Sequence, residues 1–210
     1  MQKTIIITGI VVASLFVIWI VIGYVSLANV KEPDYTVIEK TNGYEIREYP
    51  TYIIAETENT GTYNEAINNN FRAIAGFIFG DNTKQTSVAM TTPVINEKSE
   101  PIAMTAPVIT EKKEESYTMS FVMPKEYTLE TLPRPNNNKV KIREVPAHKT
   151  AVLRFTGFSN EKRVDGKKAK LESLLQENNI QYNPKLTSAF YNTPWHFPWL
   201  RRNEIWAEIQ

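Results

Sequence analysis

Val88-Ala89-Met90-Thr91-Thr92-Pro93-Val94-Ile95-Asn96-Glu97-Lys98 is followed, three residues on, by Ile102-Ala103-Met104-Thr105-Ala106-Pro107-Val108-Ile109-Thr110-Glu111-Lys112. Met90 and Met104 open two copies of one phrase, set 14 residues apart. Each copy is rich in Val, Ile and Thr, which favour pleated backbone, and each carries a proline that lacks the N–H a central ladder needs. The phrase therefore predicts two irregular edge strands joined by a polar turn, Asn96–Pro101, with small apolar and thioether side chains converging on two proline kinks. A proline-bulged hairpin that only packs is the plainer account of the same spacing.

A longer repeat underlies the short one. Ile46-Arg47-Glu48-Tyr49-Pro50 returns as Ile142-Arg143-Glu144-Val145-Pro146, and Thr60-Gly61-Thr62-Tyr63-Asn64-Glu65 returns as Thr156-Gly157-Phe158-Ser159-Asn160-Glu161, both at an offset of 96 residues. Two matches at one offset imply a duplicated strand–strand–helix–strand unit, with halves at about 35–123 and 138–210. A period this long describes one fold made of two halves and not a solenoid.

Strands are expected at Tyr35–Glu39, Tyr44–Tyr49 and Tyr52–Thr57, the first two joined at Asn42-Gly43. Thr62 and Glu65 form a capping-box pair and Gly80 a stop, so residues 63–79 should be helical. On a helical wheel Ala66, Ile67, Ile74, Phe77 and Ile78 make a core stripe, while Phe71, Ala75 and Phe79 recur every four residues on another flank, one that wants a partner. Further on, strands are expected at Tyr117–Met123, Lys139–Glu144 and Thr150–Phe155, a second helix at about Asn160–Asn178, and a final strand ending at Ile209. An aromatic loop, Phe190–Trp199, precedes that strand.

The N-terminus differs in kind. No charged residue occurs from Thr4 to Asn29, and Ile5–Val25 is nearly continuous Ile, Val, Leu, Phe and Trp. Such a run can cross about 30 Å of hydrocarbon, so residues 1–30 are expected to anchor the chain and residues 31–210 to form one domain. Ser26-Leu27-Ala28 would suit a signal-peptide cleavage site, but the apolar core is longer than such signals carry. Lys3 precedes the span while Lys31, Lys40 and Arg47 follow it, a bias that leans against export. The favoured placement is nevertheless a single-pass membrane protein with an extracytoplasmic domain, because one span behind a three-residue head resembles an uncleaved export signal.

Composition narrows the function classes. Of 210 residues, 42% are hydrophobic and the net charge is +1, enough for one domain with a real core. Basic residues are scattered, and the densest run, Lys162–Lys168, reads as a solvated helix face, so a nucleic-acid partner is not expected. The absence of cysteine rules out disulfides and thiolate nucleophiles, metal ligands or haem ligands. No serine elbow, zinc-binding histidine pair or phosphate-cradling glycine loop occurs. Glu48 and Glu144 are related by the repeat, and salt-bridged strand residues are a simpler account of them than acid–base catalysis. An enzyme is therefore not expected.

The Met-Thr-[Thr/Ala]-Pro-Val phrase after a first helix, Tyr44-Glu45-Ile46-Arg47 with Tyr49, and the closing Tyr191-Asn192 with Pro194 and Arg201-Arg202-Asn203-Glu204-Ile205-Trp206 together resemble the SOUL haem-binding family. The resemblance runs in order over nearly all of the soluble part. It implies an α+β fold: pseudo-twofold β-α-β-β units forming a distorted antiparallel barrel with two helices, akin to bacterial effector-binding domains. It also implies non-covalent haem or porphyrin binding in a shallow apolar groove beside the first soluble helix.

Carried over residue by residue, the groove would be bordered by Asn68, Phe71, Arg72, Ala75 and Phe79, with Met90 and Met104 from the repeated phrase. Arg72 could pair with a propionate through charge-assisted hydrogen bonds. Some members place an axial histidine where this chain has Glu48, so a strong axial ligand is not expected there. Of the two histidines, His148 reads as exposed, and His196, in the aromatic loop, is the remaining candidate ligand. Metal removal from tetrapyrroles, linked to a few relatives, is the minor catalytic alternative. The rival to haem binding is a module of the same fold that takes another flat apolar or cationic effector, or a protein partner.

Overall fold

The computed structural model describes residues 2–25, 30–85, 99–193 and 195–209. The first copy of the repeated phrase, Met90 included, and the candidate cleavage site at 26–28 lie outside the described residues. Along the chain run α1 (Gln2–Val25), β1 (Thr36–Lys40), β2 (Glu45–Tyr49), β3 (Tyr52–Thr60), α2 (Tyr63–Ile78) and a two-residue β4 (Asn82–Thr83). They are followed by β5 (Val108–Lys112), β6 (Ser116–Val122), a two-residue β7 (Arg134–Pro135), β8 (Lys141–Val145), β9 (His148–Phe155), α3 (Glu161–Glu177), β10 (Thr187–Phe190) and β11 (Asn203–Ile209).

Nine strands form one curled antiparallel sheet in the order β1-β2-β9-β11-β10-β5-β6-β3-β8, and β4 pairs with β7 apart from it. From the central β10–β5 pair the order runs outward as β11-β9-β2 on one side and β6-β3-β8 on the other. Thus β2 lies on β9, pairing Arg47 with Thr150, and β8 lies on β3, pairing Arg143 with Ile54. Gly61 and Gly157 each turn the chain from a strand into a helix at positive φ, +116° and +98°, where a Cβ is disfavoured.

The second copy of the repeated phrase is not an edge strand. Val108–Lys112 sits inside the sheet, bonded to β6 on one side and β10 on the other. Pro107 immediately precedes β5, so its missing N–H falls outside the ladder and an interior place costs no hydrogen bond.

Each soluble helix covers one part of the sheet. Ile74, Phe77 and Ile78 of α2 are buried on Ala55, Met119 and Phe121, while Leu171 and Leu175 of α3 are buried on Leu153, Phe155 and Ile205. Side chains of this size contribute roughly 1.5–3 kcal/mol each when removed from water. At the start of α2 the Thr62 N–H and hydroxyl both donate to Glu65 Oε2, at 3.2 and 2.7 Å, and at the start of α3 the Asn160 side chain accepts from the Arg163 N–H. Burial beside β2 and β9 packs Tyr49 against Trp206, with ring centroids 5.1 Å apart.

Among the described residues one helix is long and apolar enough to cross a membrane. Its Lys3–Gly23 window has a mean hydropathy of 3.0 and is not buried by the rest of the protein. Apolar side chains surround α1, so it lacks the polar face of a helix lying on a water-exposed core. Its C-terminal half meets the loop after β10: Trp19 Nε1 donates to the Trp195 carbonyl at 2.8 Å, and Phe16 and Trp19 each stand edge-on to Phe197 at 5.2 Å.

Candidate functional site

The wheel of α2 separates two faces in space as it does in sequence. Ala66, Asn70, Ile74, Phe77 and Ile78 are buried, and the Asn70 amide is satisfied by donating to the Tyr117 carbonyl at 2.7 Å. On the other flank Phe71 is 42% exposed and Phe79 67% exposed, with Asn68 and Arg72 open to solvent and Ala75 half-buried between them. Phe71 and Phe79 are about two turns apart, roughly 12 Å along the axis, so with Ala75 they mark an apolar stripe that winds slowly round this flank. Phe71 leans on the core at Phe121, with ring centroids 6.0 Å apart and planes tilted by 52°. Arg72 makes no ion pair among the described residues, so its guanidinium can meet an anion at the strip's border.

Of the sequence-derived residues, Asn68, Phe71, Arg72, Ala75 and Phe79 share this flank, and Met104 is 39% exposed before β5. The two histidines sit in different surroundings, His148 half-buried and His196 buried. His148 stacks on Tyr49 at 5.6 Å with Nδ1 2.8 Å from the Pro146 carbonyl. His196 is buried where the aromatic loop meets α1, and a Cβ on Gly23 would lie 2.7 Å from its Nδ1. The aromatic loop thus packs on α1 and not on Phe71 or Phe79. Glu48 is exposed on β2 opposite Lys149, and Glu144 is exposed on β8 opposite Ile53, so neither is the cross-strand partner of the other. Among the described residues no group of three or more histidines or carboxylates is placed to hold a metal ion.

A concavity of about 590 Å³ opens elsewhere, between β3, β6, the linker after α1 and the loop after β6, and none of its walls comes from α2. Its walls carry Glu32, Asp34, Glu130 and Glu144 against Lys31 and Lys125, and both lysines are already paired, with Glu126 at 2.8 Å and Asp34 at 3.2 Å. Burial pushes the Tyr52 phenol in this wall up to about 12, keeping it a neutral donor. Asp34 is taken up by Lys125 and Glu32 by Arg202 at 2.8 Å, so Glu130 and Glu144 are the wall carboxylates without a salt bridge among the described residues, and they favour a cationic occupant over a ring bearing propionates.

The family profile described as "SOUL heme-binding protein" matches residues 30–208. The chain belongs to the SOUL haem-binding protein family. Curated relatives include heme-binding protein 2 of Mus musculus, 27% identical over 167 residues, and of Homo sapiens, 28% identical over 165; each match covers 78% of this chain and 76% of the relative. Among solved structures, the EcmrR C-terminal domain superposes with a TM-score of 0.56 at 13% identity, over 84% of this chain and 98% of that one. A hydrolase from Listeria innocua superposes at 0.51 and 12% identity, over 82% and 94%. At such identities these two show the effector-binding-like fold alone.

SOUL-type motifs at the two ends of the domain meet in the interior. Arg47, from Tyr-Glu-Ile-Arg, donates to Glu45 at 2.8 Å and to Glu204, from Arg-Arg-Asn-Glu, at 3.0 Å. Glu204 is fully buried and also accepts from Tyr191, Trp206 and Arg202 at 2.7, 2.9 and 2.8 Å. Burial alone would push the Glu204 carboxyl up, but Arg47 and Arg202 with these donors outweigh it and hold it below the usual carboxylate range. Nothing in the spacing marked Glu204; only the family motif that contains it could have.

Proposed function

We propose that this protein is a membrane-tethered tetrapyrrole binder that holds haem or another porphyrin non-covalently against the outer flank of α2, for transport, buffering or sensing. The observation that carries the reading is the exposed stripe Phe71–Ala75–Phe79 beside Arg72, which makes no ion pair among the described residues, in a chain of the SOUL haem-binding family. Flat apolar area removed from water stabilises binding by about 25 cal/mol per Å² without an iron–protein bond, and Arg72 adds a charge-assisted contact for a propionate. Haem would bring its iron to the strip. The chain itself would supply the apolar face, the cation and, at Asn68, an amide. The reading includes an uncleaved α1 as the tether, a domain outside the cytoplasm and descent of the two halves from one duplicated unit, the last supported by the symmetric sheet order.

Titration of hemin into residues 31–210 tests this, since the three buried clusters draw their residues from 44–207 and do not include α1. A saturable Soret band is expected, and its absence would sink the proposal. A second reading rests on the carboxylate-lined concavity: a module of the same fold that takes a cationic effector and ignores haem. It is favoured if an aromatic cation binds the same protein while hemin does not.

A further inference from the structure

The loop that separates β10 from β11 is left over by the haem reading. From Tyr191 to Leu200 its only ionisable side chains are Tyr191 and His196, both buried, and Arg201 and Arg202 follow at once. Trp195 and Trp199 are 63% and 70% exposed, Leu200 is exposed beside them, and Phe158, from the loop between β9 and α3, is 57% exposed. These side chains form one patch. The Gly157 N–H donates to the Pro198 carbonyl at 3.0 Å, and Arg201 lies 5.3 Å from the Phe158 ring centroid. Indole-rich apolar loops edged by arginine suit the boundary between hydrocarbon and headgroups, where an apolar ring body and a polar tip are both accommodated.

What covers the patch follows from α1. Phe197 packs on Phe16 and Trp19, and Trp195 accepts from the Trp19 indole, so the loop is fixed to one flank of the helix. Phe16 lies seven residues before Gly23, where the apolar window ends, which is about 10 Å of helix rise. Phe197, held against Phe16, therefore sits about 10 Å below the end of the window, and Trp195, held at Trp19, about 6 Å below it, close to the 5–10 Å to which interfacial segments bury their apolar faces. We infer that the Phe158, Trp195, Trp199 and Leu200 patch dips into the bilayer beside α1, as a second membrane contact that sets the tilt of the domain. The inference rests on reading α1 as a span.

The cysteine-free chain makes the test direct. Single cysteines at Trp199→Cys, Phe158→Cys, Ser14→Cys and Lys170→Cys are labelled with an environment-sensitive dye in the full-length protein, reconstituted in phosphatidylcholine–phosphatidylglycerol vesicles. Doxyl lipids of graded depth then quench from the membrane and iodide from water. Labels at 199 and 158 should lose most of their emission to shallow doxyl groups, the label at 14 to deep ones, and the label at 170, on the exposed side of α3, only to iodide. Quenching at 14 with iodide-only quenching at 199 and 158 overturns the patch and leaves the span standing. Iodide quenching at all four sites overturns both. Protection of 199 and 158 from both quenchers means that protein covers the patch, which also overturns the inference. Two label sites on separate loops guard against one local misfold.

Discussion

Arg47 and Glu204 stand 157 residues apart in sequence and 3.0 Å apart in space, the first on β2 and the second on β11, strands that flank β9 without touching each other. Their guanidinium and carboxylate meet beneath the sheet with almost no exposure to water. Removing one partner leaves the other as a buried, uncompensated charge, which costs more than the pair itself is worth. Glu204→Ala and Arg47→Ala should each destabilise the domain by about 3–5 kcal/mol, and the double variant by clearly less than the sum. Urea unfolding of residues 31–210 in a double-mutant cycle measures this; additive losses would show the pair to be uncoupled.

Acid should act through the same carboxyl. Its folded-state value lies below the ordinary 4.5, so the stability it supplies is fully present above 4.5 and is lost as pH falls below that and through the folded value. Melting temperatures followed downward from neutrality should stay level and then drop, and Glu204→Gln should flatten the drop while starting from a lower plateau. Parallel acid limbs for both proteins would assign the transition to other carboxylates.

On the proposed site at the outer flank of α2, metal-free protoporphyrin should bind nearly as well as hemin, because apolar contact and Arg72 would supply the affinity. Ala75→Glu sets an unpaired charge against the ring and should weaken binding by about 1–3 kcal/mol, while the outward flank of α2 still folds. His196→Ala should leave the titration where it was. Fluorescence quenching by each ring reports both; the reverse pattern would move the site to the aromatic loop.

Full-length protein should sediment with membranes and resist carbonate extraction, given an apolar window of hydropathy 3.0 that the rest of the protein does not bury. Recovery of a soluble form beginning near Asn29 would replace the anchor with a cleaved signal.

Much of this architecture was legible before any coordinates, because local chemistry dictated it. Asn42-Gly43 turns the first hairpin, with Gly43 at φ +135°, and the Thr62–Glu65 pair starts α2 at Tyr63, as its spacing predicts. The flank Phe71, Ala75, Phe79 was visible because a helix imposes its period on sequence. Non-local pairings were not visible. No strand is expected at Thr187–Phe190, of which only Phe190 falls in the expected aromatic loop, since four residues carry too little alternation to declare a strand, and its place against β5 depends on residues about eighty positions away. An edge place for the second copy of the repeated phrase fails for a related reason: a proline excludes only its own position from a ladder, and Pro107 stands just outside one. Packing of the aromatic loop on α1 and convergence of two motifs on Glu204 likewise arise from topology, which no local period encodes.

The central position of β11 also governs when this fold can exist. It bonds to β9 on one side and β10 on the other, so a growing chain that has made everything up to Leu200 still holds two sheet fragments and an arginine at 47 without its carboxylate. Long-range closure of this kind is slow and leaves strand edges open to misassembly. Synthesis past residue 209 is therefore the event that commits the domain. Until then the nascent polypeptide carries open strand edges, and a variant stopped after Leu200 should be degraded and not accumulate as a shortened domain.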